Sequence, residues 1–522
     1  MEKKGLHKHQ ALLPLALFAL STSLYLGTMA PTITWQHDGY DAGDLITAAY
    51  TLGIPHPTGY PTYMLLGKLM TLLPVGDVAY RMNLLSALSA ALAVSLLYVA
   101  ARATLPRARE AVWASLVAAL CLATSRIFWS QALITEVYAL NALLFALLLL
   151  LCLRLNQQTC DVREATAQRP VPRTAVLTAW IYGLSLGNHL TIAFSAPWLL
   201  WHGWQIHKRR RLSSRQWAAI AAALALGLAV YAYLPWRAGR EPLMNWGDPR
   251  TLRSLIWMVS GGIYRPFVMA LPLAQWPARV LAWAGLLPKQ FGAIGTALGL
   301  LGIWAHRRRN AGQAGILLLT FALYSFYATG YNTTDSYVYL LPVYILFALW
   351  IAHGAVFVLH SLDQTDVVTF ALAAALLLLP VASLRANWPA VDLHADRSAY
   401  EYGAAVFAQV PDGAIVISAT DPHTFTLWYF ARVVVNRPLV AVIDRDLLVY
   451  GWYIKGLRQR YPWLRWPLAS PEATPSVGQL VEANRQDHTV FLADSDDQLM
   501  ARYRFEPQGL LYRLQTEQPL SP

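Results

Sequence analysis

Three acids recur at three-residue intervals in the segment HDGYDAGD: Asp38, Asp41 and Asp44. They follow directly on a long apolar run. A carboxylate in such a place can take a proton from a substrate hydroxyl, which is general-base chemistry. The plainer alternative is a solvated loop in which Asp41 or Asp44 caps a helix expected from Leu45, because Asp is favoured just ahead of helices. The turn PHPTGYP comes next and carries His56 and Tyr60, either as a structural corner or as part of a substrate pocket. Spacing alone leaves both alternatives open.

Polar residues break apolar stretches elsewhere too. Glu136 stands in SRIFWSQALITEVYALNALL, with Asn141 a little over one turn further on. Acids near lipid are costly and face a protein interior or a cavity, so Glu136 is a helix-end cap or one wall of a site. Asn188-His189 interrupts GLSLGNHLTIAF. A lone His of this kind is more often a hydrogen-bonded core residue than a ligand, and without an HxxxH or HxH pair no His-based zinc site is expected. A carboxylate-bound divalent cation stays open, from Asp38, Asp41, Asp44 and Asp248 on one side. YLPWRAGREPLMNWGDPRTL and SGGIYR carry Arg237 and Arg265, whose planar forks suit a phosphate or simply meet lipid headgroups. Trp246 beside Asp248 offers a flat ring for the C–H face of a sugar and a carboxylate for its hydroxyls, although Trp at a membrane surface is also routine. Tyr331, Asp335, Tyr337 and Tyr339 gather in YNTTDSYVYLLP.

The elements that must position these residues follow from composition. The 522 residues are 56% hydrophobic and 13% charged, against roughly 45–50% and about 25% in soluble domains. That balance excludes a disordered chain, a fibrous repeat and an ordinary cytosolic enzyme, and leaves a polytopic membrane protein. Apolar runs lie at about 11–30, 82–101, 111–125, 137–153, 174–187, 189–205, 216–235, 291–306, 312–329, 337–359 and 367–384. They predict a mainly α bundle of about eleven spans at ~20 residues each, the shorter ones supported by neighbours. The runs meeting at Asn188-His189 read as two spans or as one kinked helix. In the loop 31–81, Leu45–Leu52 and Tyr63–Leu73 read as short half-buried helices.

The net charge is +12. Its basic residues cluster between the runs, at Lys3, Lys4 and Lys8, at Arg102, Arg107 and Arg109, at Arg154, Arg163, Arg169 and Arg173, at 208–211 with Arg215, and at Arg307, Arg308 and Arg309. Alternating spans put every cluster on one side, which the positive-inside rule makes cytoplasmic, so nucleic acid is not the expected partner. The N-terminus is then cytoplasmic and the C-terminus extracytoplasmic. The outer side receives the loops 31–81 and 236–290, and with them Asp41, Glu136, His189, Arg237, Asp248 and Asp335 share one face. Cys121, Cys152 and Cys160 are too few for a disulfide framework or a zinc ribbon. After a membrane domain at 1–385, the tail 386–522 changes character. Ile415–Ser418 and Val440–Ile443 read as strands around a helix at Phe425–Val433, with a further strand near 488–495 and a Pro-rich surface loop around 462–475. These predict a small extracytoplasmic α/β domain.

Taken in order, TITWQHDGYDAGDLITAAYTLGIPHPTGYPTYMLLGKL, FWSQALITEVYALNALL, GLSLGNHLT, YLPWRAGREPLMNWGDPRTL with SGGIYR, and YNTTDSYVYLLP resemble the protein O-mannosyltransferase-like family of multi-pass proteins. That family in turn resembles the GT-C glycosyltransferases. The resemblance covers about residues 10–385, and DGAIVISATDPHTFTLWYF in the tail resembles many bacterial members. Family members usually show Asp-Ser-Gly-Glu in the first outer loop; this chain has Asp41-Ala42-Gly43-Asp44, with the second acid shorter by one methylene.

The resemblance implies a membrane glycosyltransferase that takes a sugar, mannose in the family, from a polyprenyl-phosphate donor on the extracytoplasmic side. The acceptor is a Ser/Thr-bearing protein or a glycolipid; the short loops and the absence of outer disulfides point to a bacterial inner membrane. Asp41 is the expected base in an inverting displacement, with Asp38 and Asp44 left open as alternative bases. Asp44 orients Asp41 or caps its helix. Arg237, with Arg265, holds the carrier phosphate. His56, Tyr60, Glu136, His189, Trp246, Asp248, Tyr331, Asp335 and Tyr339 line the sugar or acceptor pocket. No cofactor is expected beyond the lipid-linked donor, with a divalent metal left optional. The alternatives are a lipid or solute transporter without transferase activity, which internal repeats and midplane charges would favour, and a non-catalytic scaffold whose tail binds a partner. The chain shows no such repeat.

Overall fold

In the computed structural model, which describes residues 2–160, 173–361, 366–467 and 474–515, every apolar run read from the sequence is helical. The first run is α1 (Glu2–Thr28), and the first outer loop holds α2 (Ala42–Thr51) and α3 (Pro61–Thr71). Next come α4 (Val78–Thr104), α5 (Arg109–Ala123), α6 (Arg126–Gln131) and α7 (Val137–Cys160). They are followed by α8 (Arg173–Leu186), α9 (Ala196–Arg210) and α10 (Ser214–Leu228), which runs through a 3-10 turn into α11 (Tyr233–Ala238). The long outer loop carries α12 (Leu252–Val259). The membrane part closes with α13 (Trp276–Arg309), α14 (Ala311–Gly330), α15 (Leu341–Ser361), α16 (Asp366–Leu376) and α17 (Leu378–Val391). Arg163 and Arg169 lie outside the described residues.

Seven stretches among the described residues are long and apolar enough to cross a membrane. The helices α5, α8 and α9 have 15, 14 and 15 residues, about 22 Å each at 1.5 Å per residue, short of a ~30 Å hydrocarbon layer. Broken backbone extends them. Thr124-Ser125 leads from α5 to α6, and Gly187–His189 with the 3-10 turn Leu190–Ser195 leads from α8 to α9. Such backbone is tolerated at membrane depth where protein or a cavity surrounds it. The break at Asn188-His189 therefore separates two helices and does not kink one; Asn188 Nδ2 donates to Val137 O (3.2 Å) and pins the break to the start of α7. The window Ser336–His360 is 89% buried and Val367–Val391 only 11%, so α15 is the central post of the bundle and α16–α17 form its edge.

The tail contains α18 (Ser398–Gln409), β1 (Ile415–Ser418), α19 (Asp421–Tyr429), β2 (Ala441–Asp444), α20 (Gly451–Arg460), α21 (Val477–Asn484), β3 (Val490–Leu492), α22 (Asp497–Arg502), β4 (Phe505–Gln508) and β5 (Leu511–Leu514). The sheet order is β2-β1-β3-β5-β4, with β1 parallel to both β2 and β3 and the other pairs antiparallel. The hairpin β4–β5 is an addition to the strands read from the sequence. Its outer strand FEPQ carries Pro507 and is only half-buried, the pattern of an edge strand with weak alternation. Within the Pro-rich stretch, residues 468–473 lie outside the described residues.

The tail seats on the membrane part through α19, which packs against both α2 and β2. A Cβ at Gly43 would stand 2.2 Å from Phe425 O, so only glycine allows this approach. Trp35 Nε1 adds hydrogen bonds to Pro422 O (3.1 Å) and Thr426 Oγ1 (2.9 Å).

Candidate active site

Helix α2 begins just after Asp41, and Leu52 closes it in the left-handed region (φ 50°). The chain then pairs with the long outer loop: Ile54 N–H donates to Met244 O (2.7 Å) and Trp246 N–H to Ile54 O (3.2 Å). This bridge sets Trp246 opposite α2, where its Nε1–H donates to Asp44 Oδ1 (3.0 Å). Asp44 Oδ2 accepts from the backbone N–H of His56 (2.9 Å) and meets its Nδ1 (2.8 Å). Asp44 is fully buried; three donors and a charge partner offset its desolvation.

His56 Nε2 lies 3.1 Å from Tyr60 Oη and 3.5 Å from Asp41 Oδ2. Tyr60 gives its own proton to Pro57 O (3.1 Å), so its oxygen accepts from Nε2–H. With a carboxylate on the other side of the ring, both nitrogens donate, which is the imidazolium form. Burial alone would lower the His56 pKa, but Asp41 and the hydrogen bond to Asp44 outweigh it and lift the group to about 9. Desolvation raises Asp41 above the usual aspartate value; His56 opposes, while Asp44 and Asp335 act in the same upward direction. The Asp41 side chain keeps 34% exposure and borders a cavity of about 360 Å³.

Aromatic rings make most of that cavity. Tyr138, Tyr264, Phe267, Tyr327, Tyr331 and Tyr339 line it, with Asp41, His56, Asp335 and His189 as its acids and imidazoles. His189 stacks on Tyr60 (centroids 6.2 Å apart, planes 8° apart) and meets Tyr138 and Tyr339. Its Nδ1 accepts from Thr191 N–H (3.3 Å), so in the neutral ring Nε2 carries the proton. The cavity thus has an acid–imidazolium end and a broad aromatic wall, a shape for a sugar ring and an apolar chain together. Its residues come from the starts of α2, α7 and α15, the ends of α8 and α14, the turn 56–60 and the segment 260–268 of the long outer loop, all at one end of the bundle. The basic clusters end α4, α9 and α13, at the opposite end.

Several expected site residues stand elsewhere. Glu136 is buried beside the start of α7; desolvation and then the Asp41 charge push its carboxyl well above the usual range, and it accepts from the Val137 backbone. Asp38 is bonded by Tyr337 Oη. Left-handed backbone at His37 and Asp38 (φ 58° and 62°) turns it away from Asp41. Arg237 is turned to backbone in this arrangement: its Nε donates to Leu52 O (2.5 Å) and its Nη2 to Thr51 O (3.5 Å), at the C-terminus of α2. Arg265 is exposed at the cavity rim and bonded to Ser260 Oγ (2.8 Å). Trp246 and Asp248 do not form a sugar clamp in the main cavity. Gly247 (φ 69°) and Asp248 (φ 39°) reverse the chain between them. Trp246 goes inward to Asp44, and Asp248 goes to Lys455 (2.7 Å) and Arg250 (2.8 Å). The four acids considered for a divalent cation are therefore dispersed, and among the described residues no group of three or more His, Cys, Asp or Glu is placed to hold a metal ion.

Asp421 was not legible as a site residue. It opens α19 one turn before Phe425, on the same face, and Phe425 O abuts Gly43. That puts Asp421 beside the start of α2. Desolvation and then the Asp41 charge lift its carboxyl to about 6. The available signal was ATDPH directly after a strand, since sites favour the carboxyl ends of parallel strands. The cavity tyrosines Tyr138, Tyr264 and Tyr327 were missed as well, because a tyrosine at a membrane surface is unremarkable in sequence.

The family model for the protein O-mannosyl-transferase TMEM260 N-terminal domain matches residues 41–211. The match opens on Asp41 and takes in His56, Glu136 and His189. The mouse protein O-mannosyl-transferase TMEM260 is 27% identical over 512 residues, covering 91% of this chain and 70% of the mouse protein. The chain is similar to TMEM260. The TMEM260 relative of Dictyostelium discoideum is 22% identical over 492 residues, and the alignment covers 84% of this chain and 57% of that protein. Among solved structures, ArnT from Cupriavidus metallidurans bound to undecaprenyl phosphate aligns with a TM-score of 0.55 at 13% identity, over 97% of both chains. The Archaeoglobus fulgidus oligosaccharyltransferase in its apo form aligns with a TM-score of 0.56 at 12% identity, over 94% of this chain and 70% of that one. At such identities the likeness is one of fold: a GT-C-like membrane bundle carrying a small C-terminal α/β domain. The similarity to proteins named protein O-mannosyl-transferases supports the glycosyltransferase class expected from the sequence, in a multi-pass membrane protein.

Proposed function

We propose that the protein transfers a sugar, mannose by its TMEM260 kinship, from a polyprenyl phosphate to an acceptor hydroxyl, with Asp41 as general base. The observation that carries this reading is the Asp41 carboxylate at the polar end of an aromatic cavity, paired with His56. The acceptor O–H gives its proton to Asp41 as its oxygen bonds to the anomeric carbon. The bond from that carbon to the phosphate oxygen breaks on the far side, and polyprenyl phosphate leaves with the electron pair, so the configuration inverts. A phosphate is a good leaving group, and proton removal from the acceptor is the step that needs help. His56⁺ keeps Asp41 ionised, and Asp44 and Trp246 hold His56. Arg265, at the rim, meets the phosphate in place of Arg237 and stabilises its developing charge. Asp335, His189 and Tyr60 contact the sugar, and the tyrosine wall receives its apolar face and the first units of the carrier. Asp421, from the tail, orients the acceptor.

The site faces the extracytoplasmic side of what we infer to be a bacterial inner membrane, because the basic clusters close the opposite end of the bundle. The membrane domain, residues 1–385 with α17 running on to Val391, houses the donor; the tail covers the acceptor side. Purified protein given polyprenyl-phosphate mannose and a Ser/Thr peptide or a glycolipid tests the reading. The expected result is stoichiometric polyprenyl phosphate and a glycoside of inverted anomeric configuration by NMR. A product of retained configuration contradicts the single displacement, and no product from any hydroxyl acceptor contradicts the activity.

A further inference from the structure

A second cavity, of about 230 Å³, lies between the long outer loop and α20 of the tail. It shares no lining residue with the first. Trp246 links the second cavity to the site: its Nε1 holds Asp44, and it lines the second cavity with Trp428, Trp452 and Tyr453. The volume is below the roughly 300–1,000 Å³ of a drug-sized site and suits a single ring.

Two residues of this lining each carry a buried polar atom with no hydrogen-bond partner among the described residues, Asn245 Oδ1 and Trp452 Nε1. One accepts and the other donates. Buried polar groups are nearly always satisfied, so the pair asks for a ligand with both functions. The acids at the rim are already matched: Asp248 by Lys455 (2.7 Å) and Arg250 (2.8 Å), Glu241 by Arg250 (2.9 Å). Arg460, the other cation of the lining, is bonded to Leu243 O (2.7 Å) and Gly456 O (3.0 Å), so an ionic ligand would have to disturb these contacts or the pairs. An aromatic or aliphatic side chain of a peptide would fill the walls and leave both buried polar atoms unpaired. A neutral pyranose satisfies everything at once, with an apolar C–H face for the indoles and hydroxyls that both donate and accept.

We propose that this cavity is a binding site for one neutral sugar residue, separate from the catalytic cavity and linked to it through the Trp246–Asp44 hydrogen bond. It would hold a glycan already borne by the acceptor, and the binding itself does not depend on the transfer reaction. The test uses the full chain in a detergent without a sugar head group, probed with the methyl glycosides of mannose, glucose, galactose and N-acetylglucosamine by saturation-transfer NMR. At least one glycoside is expected to bind. Trp452→Phe, which keeps the ring and removes the N–H, weakens that binding roughly 3- to 10-fold. Tyr339→Ala in the catalytic cavity leaves it unchanged. An unshifted melting temperature shows that Trp452→Phe is folded, and Asn245→Ala provides a second reading through the acceptor. Absence of binding by every glycoside overturns the proposal. So does binding that follows Tyr339→Ala and ignores Trp452→Phe, or a Ser/Thr peptide that occupies the site where no glycoside does.

Discussion

His56 Nε2 stands 3.5 Å from Asp41 Oδ2, while its Nδ1 lies 2.8 Å from Asp44 Oδ2. One imidazolium thus joins the two acids of the Asp-Ala-Gly-Asp segment. On this account His56→Gln costs about 10- to 100-fold in kcat, since a positioned charge is lost from the base. It also moves the acid limb of the pH profile upward, because Asp41 loses the cation that favours its ionised form. Steady-state kinetics of the purified variant across pH check both effects.

The wild-type profile is expected to be bell-shaped. Activity rises as Asp41 deprotonates, above the ordinary aspartate value because desolvation raises it. It falls as His56 loses its proton at about 9. The limbs belong to the coupled pair as macroscopic values. A profile flat from pH 7 to 10 contradicts the imidazolium.

Much of this scaffold was legible because it rests on local patterns. The apolar runs became helices, and Leu45–Leu52 and Tyr63–Leu73 became α2 and α3, because hydrophobic period and turn residues are read along the chain. Roles set by backbone reversals were not legible. Trp246 and Asp248 are two residues apart, and positive φ at Gly247 sends one to Asp44 and the other to Lys455. Arg237 carries the right charge for phosphate, but the left-handed turn at Leu52 presents carbonyls to which its Nε and Nη2 donate. Asp421 is more than 370 residues from Asp41, and only the docking of α19 on Gly43 brings them together.

The two arginines separate cleanly. Arg265→Ala raises the KM for the lipid-linked donor about 10-fold or more with unchanged melting temperature, as expected for loss of a charge-assisted phosphate contact. Arg237→Ala removes the partner of the α2 carbonyls and costs roughly 1–3 kcal/mol of stability, with little effect on donor KM. Donor titrations and thermal unfolding of both variants check the assignment, and the reverse pattern would restore Arg237 as the phosphate ligand.

Gly43→Ala places a methyl 2.2 Å from Phe425 O. The backbone there cannot yield as a side-chain tip does, so the tail is expected to lift from α2. Limited proteolysis should cut the variant faster between α17 and α18, and activity should fall with it.

Asp421→Asn keeps the fold and removes a charge beside Asp41. The acceptor KM is expected to rise about 5-fold or more, with loss of one charge-assisted hydrogen bond. The acid limb should move downward, since Asp41 loses a like-charged neighbour. Donor KM should hold. Acceptor titration at two pH values checks it.

The most direct test is single-turnover transfer from polyprenyl-phosphate mannose by wild type and Asp41→Asn, with donor binding measured alongside. The account predicts that the variant binds donor and melts like wild type while transfer falls by at least about 100-fold. A variant that transfers at the wild-type rate would show that another group takes the acceptor proton.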